Sequence, residues 1–149
     1  MSADELRVDV EACAYGFRSD RDGLPVGLTP VPLNTVWSYE ASDPYALTVT
    51  IFCGGSVKTW SLSRESVTEA VSTLAHRVGQ GDTRLTTFAF VWGDLTILTL
   101  QSPSGTLDLT FVTHDLVEFL AGTEQIVAPG TEAARVEESL EHELLGFQP

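Results

Sequence analysis

The side chains best suited to chemistry in this chain are three histidines and two cysteines, and they are far apart in sequence. They are His76, His114, His142, Cys13 and Cys53. No histidine has another histidine, a cysteine or a carboxylate at a spacing diagnostic of a metal site, and a structural metal needs several convergent ligands. The sequence therefore predicts no metal centre, and we interpret each histidine as structural.

Signatures of covalent catalysis and of cofactor binding are also missing from the sequence. A nucleophilic serine or cysteine needs a base and an orienting group, yet the chain has no Gly-x-Ser-x-Gly turn. Cys13 and Cys53 fall in predicted strands without a basic neighbour, so we expect buried thiols rather than a disulfide. Gly79-Gln80-Gly81 leads from a predicted helix to a strand, the reverse of a phosphate-binding loop. We predict that the protein is not an enzyme and has no cofactor.

The charge balance favours some partners and disfavours others. The 149 residues include 8 basic and 21 acidic side chains, which gives a net charge of −13. Such a field repels nucleic-acid backbones and anionic membrane surfaces and suits partners with basic patches. No apolar run approaches the ~18 residues of a membrane span, and the acidic first residues do not resemble a secretory signal. We expect a cytoplasmic protein that is not an integral membrane protein.

Two sets of residues have both a structural and a functional interpretation. Glu137, Glu138 and Glu141 lie on the last predicted helix, where a solvated face is the favoured interpretation and a docking surface for a basic partner is the alternative.

Aromatic residues on the predicted strands could form a stacking platform for single-stranded nucleic acid. Because the basic residues are scattered, core or subunit packing is favoured for these aromatics: Trp37, Tyr39, Phe88, Phe90 and Trp92.

Apolar and polar residues alternate with a period of two in the first part of the chain, which predicts strands. These strands run from Leu6 to Ala14, from Val31 to Tyr39, from Leu47 to Phe52 and from Val57 to Leu62. Residues 16–30 are rich in glycine and proline, which predicts a long loop. Gly54-Gly55 predicts a tight hairpin. A valine and leucine stripe predicts a helix from Arg64 to Val78, with Ser63 as its N-cap.

The second part of the chain repeats the arrangement of strands followed by helices. Strands are predicted around Phe88 to Trp92, from Leu95 to Leu100 and from Leu107 to Phe111. The second of these is apolar at both parities, so we expect it to be covered on both faces. Thr113 is predicted to cap a short helix, and a last amphipathic helix carries Val136, Leu140 and Leu144.

These elements predict an α+β protein with the element order ββββα-βββαα. Short connections favour a curved, mostly antiparallel sheet of seven strands, with three helices against one face. We expect a single domain over residues 1–149 and disordered ends at residues 1–4 and 148–149.

Four backbone corners are the most distinctive residues of the chain. They are Ala41-Ser42-Asp43-Pro44-Tyr45-Ala46, Gly81-Asp82-Thr83-Arg84, Ser102-Pro103-Ser104-Gly105 and Pro129-Gly130-Thr131-Glu132. In this order, over residues 40–147, the chain resembles the SsgA-like sporulation and cell-division proteins of actinomycetes. The positions that match the family are Asp43, Pro44, Tyr45, Trp60, Arg64, Asp82, Arg84, Pro129, Gly130, Thr131 and Glu132.

The resemblance implies a fold akin to the whirly nucleic-acid-binding fold, a homotrimer and no catalysis. Members of that family help to localise the tubulin-like division protein FtsZ, and they influence septum and spore-wall maturation. The leading hypothesis is therefore a non-catalytic adaptor that is recruited to the division septum and contacts FtsZ or wall-synthesis proteins. The alternative hypothesis is a single-stranded nucleic-acid-binding protein that uses the aromatic face of the sheet.

Overall fold

One antiparallel sheet of seven strands with three helices accounts for the chain. The computed structural model describes residues 4–19, 25–53, 55–79, 81–103 and 105–146. The strands are β1 Glu5–Ser19, β2 Pro25–Glu40, β3 Ala46–Cys53, β4 Ser56–Ser63, β5 Thr83–Phe90, β6 Gly93–Ser102 and β7 Gly105–Val112. The helices are α1 Arg64–Ser72, α2 Thr113–Ile126 and α3 Glu132–Gly146. The predicted fold class and element order are confirmed.

The strand order is β4-β3-β2-β1-β7-β6-β5, so each half of the chain contributes neighbouring strands. The halves meet where β1 pairs with β7, at Cys13↔Thr110 and Ala14↔Leu109. The predicted hairpin after β3 is confirmed, because Cys53 pairs with Ser56 across a two-residue turn. Gly55 has a φ of 86° there, a conformation that glycine adopts without strain.

The inner face of the sheet, which α2 covers, forms the core. The Trp37 ring lies 5.4 Å from that of Phe111 and 5.8 Å from that of Phe119 on α2. The α2 start is tied to the sheet by hydroxyls, since Thr96 Oγ1 lies 2.8 Å from those of both Thr87 and Thr113. The prediction that Thr113 caps α2 is wrong, because Val112 occupies the N-cap and makes no side-chain cap bond. Thr113 is buried, and its hydroxyl is used within the core.

The prediction of a long loop over residues 16–30 is wrong. Strand β1 continues to Ser19 and β2 begins at Pro25, with pairs from Tyr15↔Pro30 to Arg18↔Gly27. Strand β3 pairs with β2 only from Asn34 to Ser38. The prolines of β2 therefore lie where its other edge has no neighbour, and a proline costs no ladder hydrogen bond at such a position.

The predicted helix from Arg64 to Val78 is six residues too long, because α1 ends at Ser72. The Ser63 cap is confirmed, since its Oγ accepts a hydrogen bond of 3.2 Å from the Ser66 N–H. Beyond α1 the chain pairs with β5 instead. The Ala75 N–H donates to the Thr87 carbonyl at 2.7 Å, and Val78 and Leu85 exchange two backbone hydrogen bonds of 2.8 and 2.9 Å.

Three smaller expectations are also corrected. Strand β6 is covered on one face only, because Leu98 and Leu100 are buried while Leu95 and Ile97 on the other face are half-buried. Cys13 is a half-buried free thiol on the charged face of β1 rather than a core residue. The side chain of Cys53 lies outside the described part of the chain.

The expectation of disordered chain ends concerns residues 1–4 and 148–149. Residues 1–3 and 147–149 lie outside the described ranges. Asp4, which was expected to be disordered, is held, since its carbonyl accepts a hydrogen bond of 2.8 Å from the Ala41 N–H and its carboxylate lies 2.6 Å from Arg135 Nη2.

Candidate functional site

The histidines stay apart in the fold, as their spacing suggests. His114 pairs with Glu118 at 3.0 Å along one helix face, and His76 lies 3.8 Å from Glu69. His142 is exposed on α3. Within the described ranges, no three histidine, cysteine or carboxylate side chains are placed to hold a metal ion. None of the described helices is both long and apolar enough to cross a bilayer.

Arg64 brings two of the predicted corners together. Its side chain is buried, with 6% of its surface exposed, and Nη2 lies 2.6 Å from Glu132 Oε1. Nη1 donates to the Val127 carbonyl at 2.8 Å, and the Arg64 backbone N–H donates to the Tyr45 carbonyl at 2.8 Å. Arg64 thus joins the start of α1, the corner after β2 and the corner before α3. We call Arg64 and the residues that it contacts at these three places the arginine junction.

The aromatic wall of the arginine junction is Tyr39. The Arg64 guanidinium carbon lies 5.1 Å from the centre of the Tyr39 ring, a cation–π distance. The Tyr39 hydroxyl donates to the Pro44 carbonyl at 3.1 Å, which fixes the Asp43-Pro44-Tyr45 corner. Burial raises the pKa of Tyr39, with a smaller opposing effect from the Arg64 charge.

Glu132 completes the arginine junction from the other side. Its Oε2 accepts a hydrogen bond of 3.0 Å from the Gly130 N–H. The pKa of Glu132 is lowered, first by hydrogen bonding to its own backbone amide and then by the hydrogen bond from Arg64. Thr131 Oγ1 donates to the Ala128 carbonyl at 2.6 Å and closes the turn. Both charges are paired, so this arrangement fixes the direction of α3 and offers no activated acid or base.

The remaining predicted motif residues lie elsewhere and do not form a common site. Arg84 closes its own turn, since Nη1 donates to the Gly81 and Thr83 carbonyls at 2.9 Å each. Asp82 is exposed, and its carbonyl accepts a hydrogen bond of 2.8 Å from Gln101. Trp60 lies on the inner face of β4, half-buried against the core. Glu137, Glu138 and Glu141 are exposed on α3.

An exposed apolar surface lies on the outer face of β5–β7, opposite the helices. Trp92 is 78% exposed and Phe90 is 43% exposed, and their rings stack 5.5 Å apart with planes 16° from parallel. Phe88 and Val112 are also exposed on this face, on either side of the half-buried Leu95. We call these five residues the aromatic corner.

The aromatic corner revises the predicted stacking platform. Trp37 and Tyr39 are fully buried on the inner face, so the five predicted aromatics do not share one surface. Asp94, which precedes Leu95, is exposed, and so are Asp9 and Glu11 on β1, the strand next to β7. The sequence predicted a strand carrying Phe88, Phe90 and Trp92, but β5 ends at Phe90 and Trp92 lies in the turn before β6. Sequence reasoning could not tell which aromatics the helices would cover.

A second apolar surface follows α3. Its predicted amphipathic pattern is confirmed, yet the apolar stripe does not pack into the core. Val136 is half-buried, whereas Leu140 is 53% exposed and Leu144 is 67% exposed. Besides Glu132, the Arg135–Asp4 ion pair of 2.6 Å holds the helix to the sheet.

A third surface is a cleft lined by residues of β3 and β4 on one side and of β6 and β7 on the other. Its volume is about 350 Å³, and its walls include Ile51, Trp60, Leu100 and Leu107. Lys58 also lines the cleft. It is the single lysine of the sequence.

Comparison with known proteins decides the family. The family model described as "Streptomyces sporulation and cell division protein, SsgA" matches residues 33–132. The chain belongs to the SsgA family. It is 34% identical over 112 residues to the sporulation-specific cell division protein SsgB of Salinispora tropica, across 73% of this chain and 76% of that protein. It is 30% identical over 120 residues to SsgB of Frankia casuarinae, across 80% and 82% of the two chains.

Solved structures of SsgA-family proteins share the fold. The SsgA-like sporulation-specific cell division protein from Thermobifida fusca superposes with a TM-score of 0.78 at 23% identity, over 99% of both chains. SsgB of Streptomyces coelicolor, whose mutations correlate with longitudinal cell division during sporulation, superposes with a TM-score of 0.73 at 23% identity. That match covers 88% of this chain and 94% of the other. The predicted family is confirmed.

Proposed function

We propose that this SsgA-family protein is a non-catalytic adaptor of sporulation-specific cell division. It is recruited to the septum, where it contacts FtsZ or wall-synthesis proteins. The observation that carries the proposal is the aromatic corner. A stacked Phe90–Trp92 pair exposed beside Phe88 and Val112 is a typical protein-binding surface, because water does not favour a contiguous apolar patch. Aromatic side chains of this kind dominate binding energies at protein interfaces.

Charge around the aromatic corner supports a basic protein partner over nucleic acid. Asp94 is exposed next to Leu95, Asp9 and Glu11 are exposed on β1, the neighbour of β7, and the whole chain has a net charge of −13. A single-stranded nucleic acid needs a basic groove beside its stacking residues. A protein with basic side chains around an apolar anchor meets both the acidic rim and the aromatic centre.

We further propose that the adaptor assembles as a homotrimer through α3. The exposed Leu140 and Leu144 lie on one stripe with Val136, and an amphipathic helix normally buries such a stripe. Packing of equivalent stripes around a three-fold axis would remove them from water in every copy. The aromatic corner, on a different element, would remain available to other proteins.

The adaptor role is tested by the double variant Phe90→Ala, Trp92→Ala. A fluorescent fusion of the wild-type protein should concentrate at septa in sporulating hyphae, and the variant should stay diffuse. Both chains should melt at the same temperature, since exposed side chains contribute little to folding. Val117→Ala, at an exposed valine of α2, is the matched control and should localise normally. Normal septal localisation of the double variant would refute the proposed role of the aromatic corner.

Assembly is tested separately by light scattering after size-exclusion chromatography. The wild-type protein should have the mass of a trimer, and Leu140→Asp, Leu144→Asp should have that of a monomer with unchanged helical content. Val117→Asp supplies the control for a charge placed on another helix. A wild-type protein that is monomeric at micromolar concentration would contradict the proposed trimer.

A further inference from the structure

The sheet ends in two edge strands, β4 and β5, which differ in how their outer edges are satisfied. The β5 edge is partly paired by the segment after α1, through Ala75 to Thr87 and through Val78 to Leu85. Strand β4 is the last strand of the sheet on its side, and in the described ranges no strand or bridge pairs with its outer edge. An uncovered edge strand of eight residues is a ready template for another strand.

Antiparallel geometry shows which β4 residues face that free edge. A two-residue hairpin closes on a pair that exchanges backbone hydrogen bonds, and bonded pairs then alternate with unbonded ones along the ladder. Cys53↔Ser56 is such a hydrogen-bonded pair, so along β4 the backbones of Lys58 and Trp60 also form hydrogen-bonded pairs with β3. Val57, Thr59 and Ser61 therefore direct their N–H and C=O groups outward, and all three residues are exposed.

The cleft beside β4 is suited to the side chains of an added strand. Lys58 and Trp60 share the inner face of β4 and line the cleft, opposite Leu100 and Leu107. Every second side chain of a strand paired with β4 would enter this apolar space. Lys58 is the single lysine in a chain of net charge −13, so the cleft combines apolar walls with one positive charge. Among the side chains that the structure describes, no carboxylate pairs with Lys58, so its charge favours an acidic ligand residue.

We propose that β4 binds an extended peptide segment of a partner protein by strand addition. The peptide pairs with Val57, Thr59 and Ser61, places apolar side chains at alternate positions against Trp60 and Leu107, and presents a carboxylate to Lys58. Main-chain hydrogen bonds supply affinity in this mode of recognition, and the alternate pockets supply specificity. The inference rests on the proposed adaptor function for the existence of a partner, and it names a second surface on that adaptor.

Peptide display on the full-length protein tests this inference directly. A library of random dodecapeptides is selected on the wild-type chain, and enriched peptides are synthesised and measured by fluorescence polarisation. Enriched sequences should alternate apolar with polar residues and carry an acidic residue. Thr59→Pro removes one outward donor and breaks no backbone hydrogen bond to β3, although, like Thr59→Ala, it loses the 3.4 Å hydroxyl contact with Thr50. It should weaken binding by at least about tenfold. Thr59→Ala is the matched control and should stay within about twofold.

The charge is tested with Lys58→Met, which keeps the length of the side chain. Binding should weaken about fivefold at low salt and lose most of its dependence on salt. Arg77→Met, at an exposed basic residue outside the cleft, should bind like the wild type. An unchanged affinity of Lys58→Met would overturn the acidic character of the ligand.

Three results would overturn strand addition at β4. The first is that no peptide is enriched, and the second is that Thr59→Pro binds the peptides as tightly as the wild type. The third is that the wild-type protein is an oligomer and the Thr59→Pro variant is a monomer, which would mean that a second copy covers the β4 edge. Trp92→Ala should bind the selected peptides normally, because the aromatic corner is a separate surface. If the β4 variants bind the peptides like the wild type while septal localisation still depends on Trp92, only this inference is refuted. If peptide binding depends on β4 but septal localisation does not depend on Trp92, the proposed role of the aromatic corner is refuted instead.

Discussion

Arg64 is a buried cation that contributes to the structure chiefly by fixing which residues it contacts. Its guanidinium reaches Glu132 at 2.6 Å and the Val127 carbonyl at 2.8 Å, and it lies over the Tyr39 ring. Replacement of a buried ion pair by apolar residues is often neutral for stability, but removal of one partner leaves an uncompensated charge. The arginine junction is therefore a device that fixes where α3 begins.

Removal of the Glu132 charge should destabilise the protein strongly. We expect Glu132→Gln to lower the free energy of unfolding by about 3 kcal/mol, because Arg64 would remain buried beside a neutral amide. The measurement is urea denaturation at neutral pH. Arg135→Gln, which removes a more exposed ion pair with Asp4, should cost less than about 1 kcal/mol. Equal losses in the two variants would contradict the role assigned to the arginine junction.

The same pair gives a pH dependence of defined sign. The pKa of Glu132 is lowered from its ordinary value of 4.5 in the folded protein, so its carboxylate contributes stability above that value. This contribution is lost as the pH falls through the lowered pKa. The stability difference between wild type and Glu132→Gln should therefore shrink in denaturation series below pH 4.5. A difference that stays constant into strong acid would disprove the assignment.

At the scale of elements, the early end of α1 shows tertiary pairing overriding a local pattern. Val67, Val71, Leu74 and Val78 have helical spacing, yet Val78 exchanges backbone hydrogen bonds with Leu85 of the β5 edge. Two features ease the change from helix to strand. Ser72 and Thr73 have modest helix propensity, and Ala75 adopts a left-handed φ of 56°. The exchange leaves Leu74 exposed but gives β5 partners along its outer edge.

Two substitutions in this segment should act in opposite directions. Gly79 has a φ of 125°, and an added Cβ would overlap the Thr83 carbonyl oxygen, so Gly79→Ala should cost at least about 2 kcal/mol. Ala75→Gly relieves a left-handed alanine and should stabilise by about 0.5–1 kcal/mol. Thermal and urea unfolding measure both effects. Stabilisation by Gly79→Ala would mean that the segment does not pair with β5 in this way.

The turn before α3 permits a milder test of helix placement. Gly130 has a φ of 88°, and a Cβ added there would meet open space, so Gly130→Val acts through backbone strain alone. We expect a cost of about 1–2 kcal/mol and a displaced α3, because a branched side chain resists this conformation. Melting temperature and oligomer size should both fall. Gly130→Asn, which tolerates left-handed backbone, should retain most of both.

For the molecule as a whole, the sheet is covered on one face by α2 while several apolar surfaces are left to water. The aromatic corner, the α3 stripe and the cleft beside β4 lie on different elements. The proposed contacts with its own copies and with other proteins therefore use separate surfaces. The net charge of −13 disfavours non-specific binding to nucleic acid.

The acidic face of α3 gives a prediction at this scale. Glu137→Lys with Glu138→Lys should weaken binding to a basic partner by a factor that falls with added salt, while the free energy of unfolding changes by less than about 1 kcal/mol. Glu138 lies 3.8 Å from Arg135 and both glutamates are exposed, so little folding energy is at stake. Pull-down and calorimetry on the same variant separate the effects. Equal loss of both would show that the helix face serves folding.

Local patterns were enough to predict most elements of this protein. Period-two alternation placed most of the strands because a half-buried strand shows its inner face in every second residue, and β6 was predicted from a run that is apolar at both parities. Ser63 predicted the start of α1, since a helix cap depends on neighbouring residues alone. The same reasoning failed at residues 16–30, where glycines and prolines that often break strands lie in a ribbon whose free edge tolerates them.

Only the tertiary structure decided which residues meet and which remain exposed. Arg64 and Glu132 are 68 positions apart, and no local signal pairs a particular arginine with one of 21 acidic residues. Trp37 and Trp92 both belong to strand-rich segments, yet one is fully buried under α2 and the other is 78% exposed. The sequence by itself determined the family, most of the strand positions and the corners, because these depend mainly on neighbouring residues. Burial depends on which distant element covers each face, and the packing of α2 against the curled sheet decides it here.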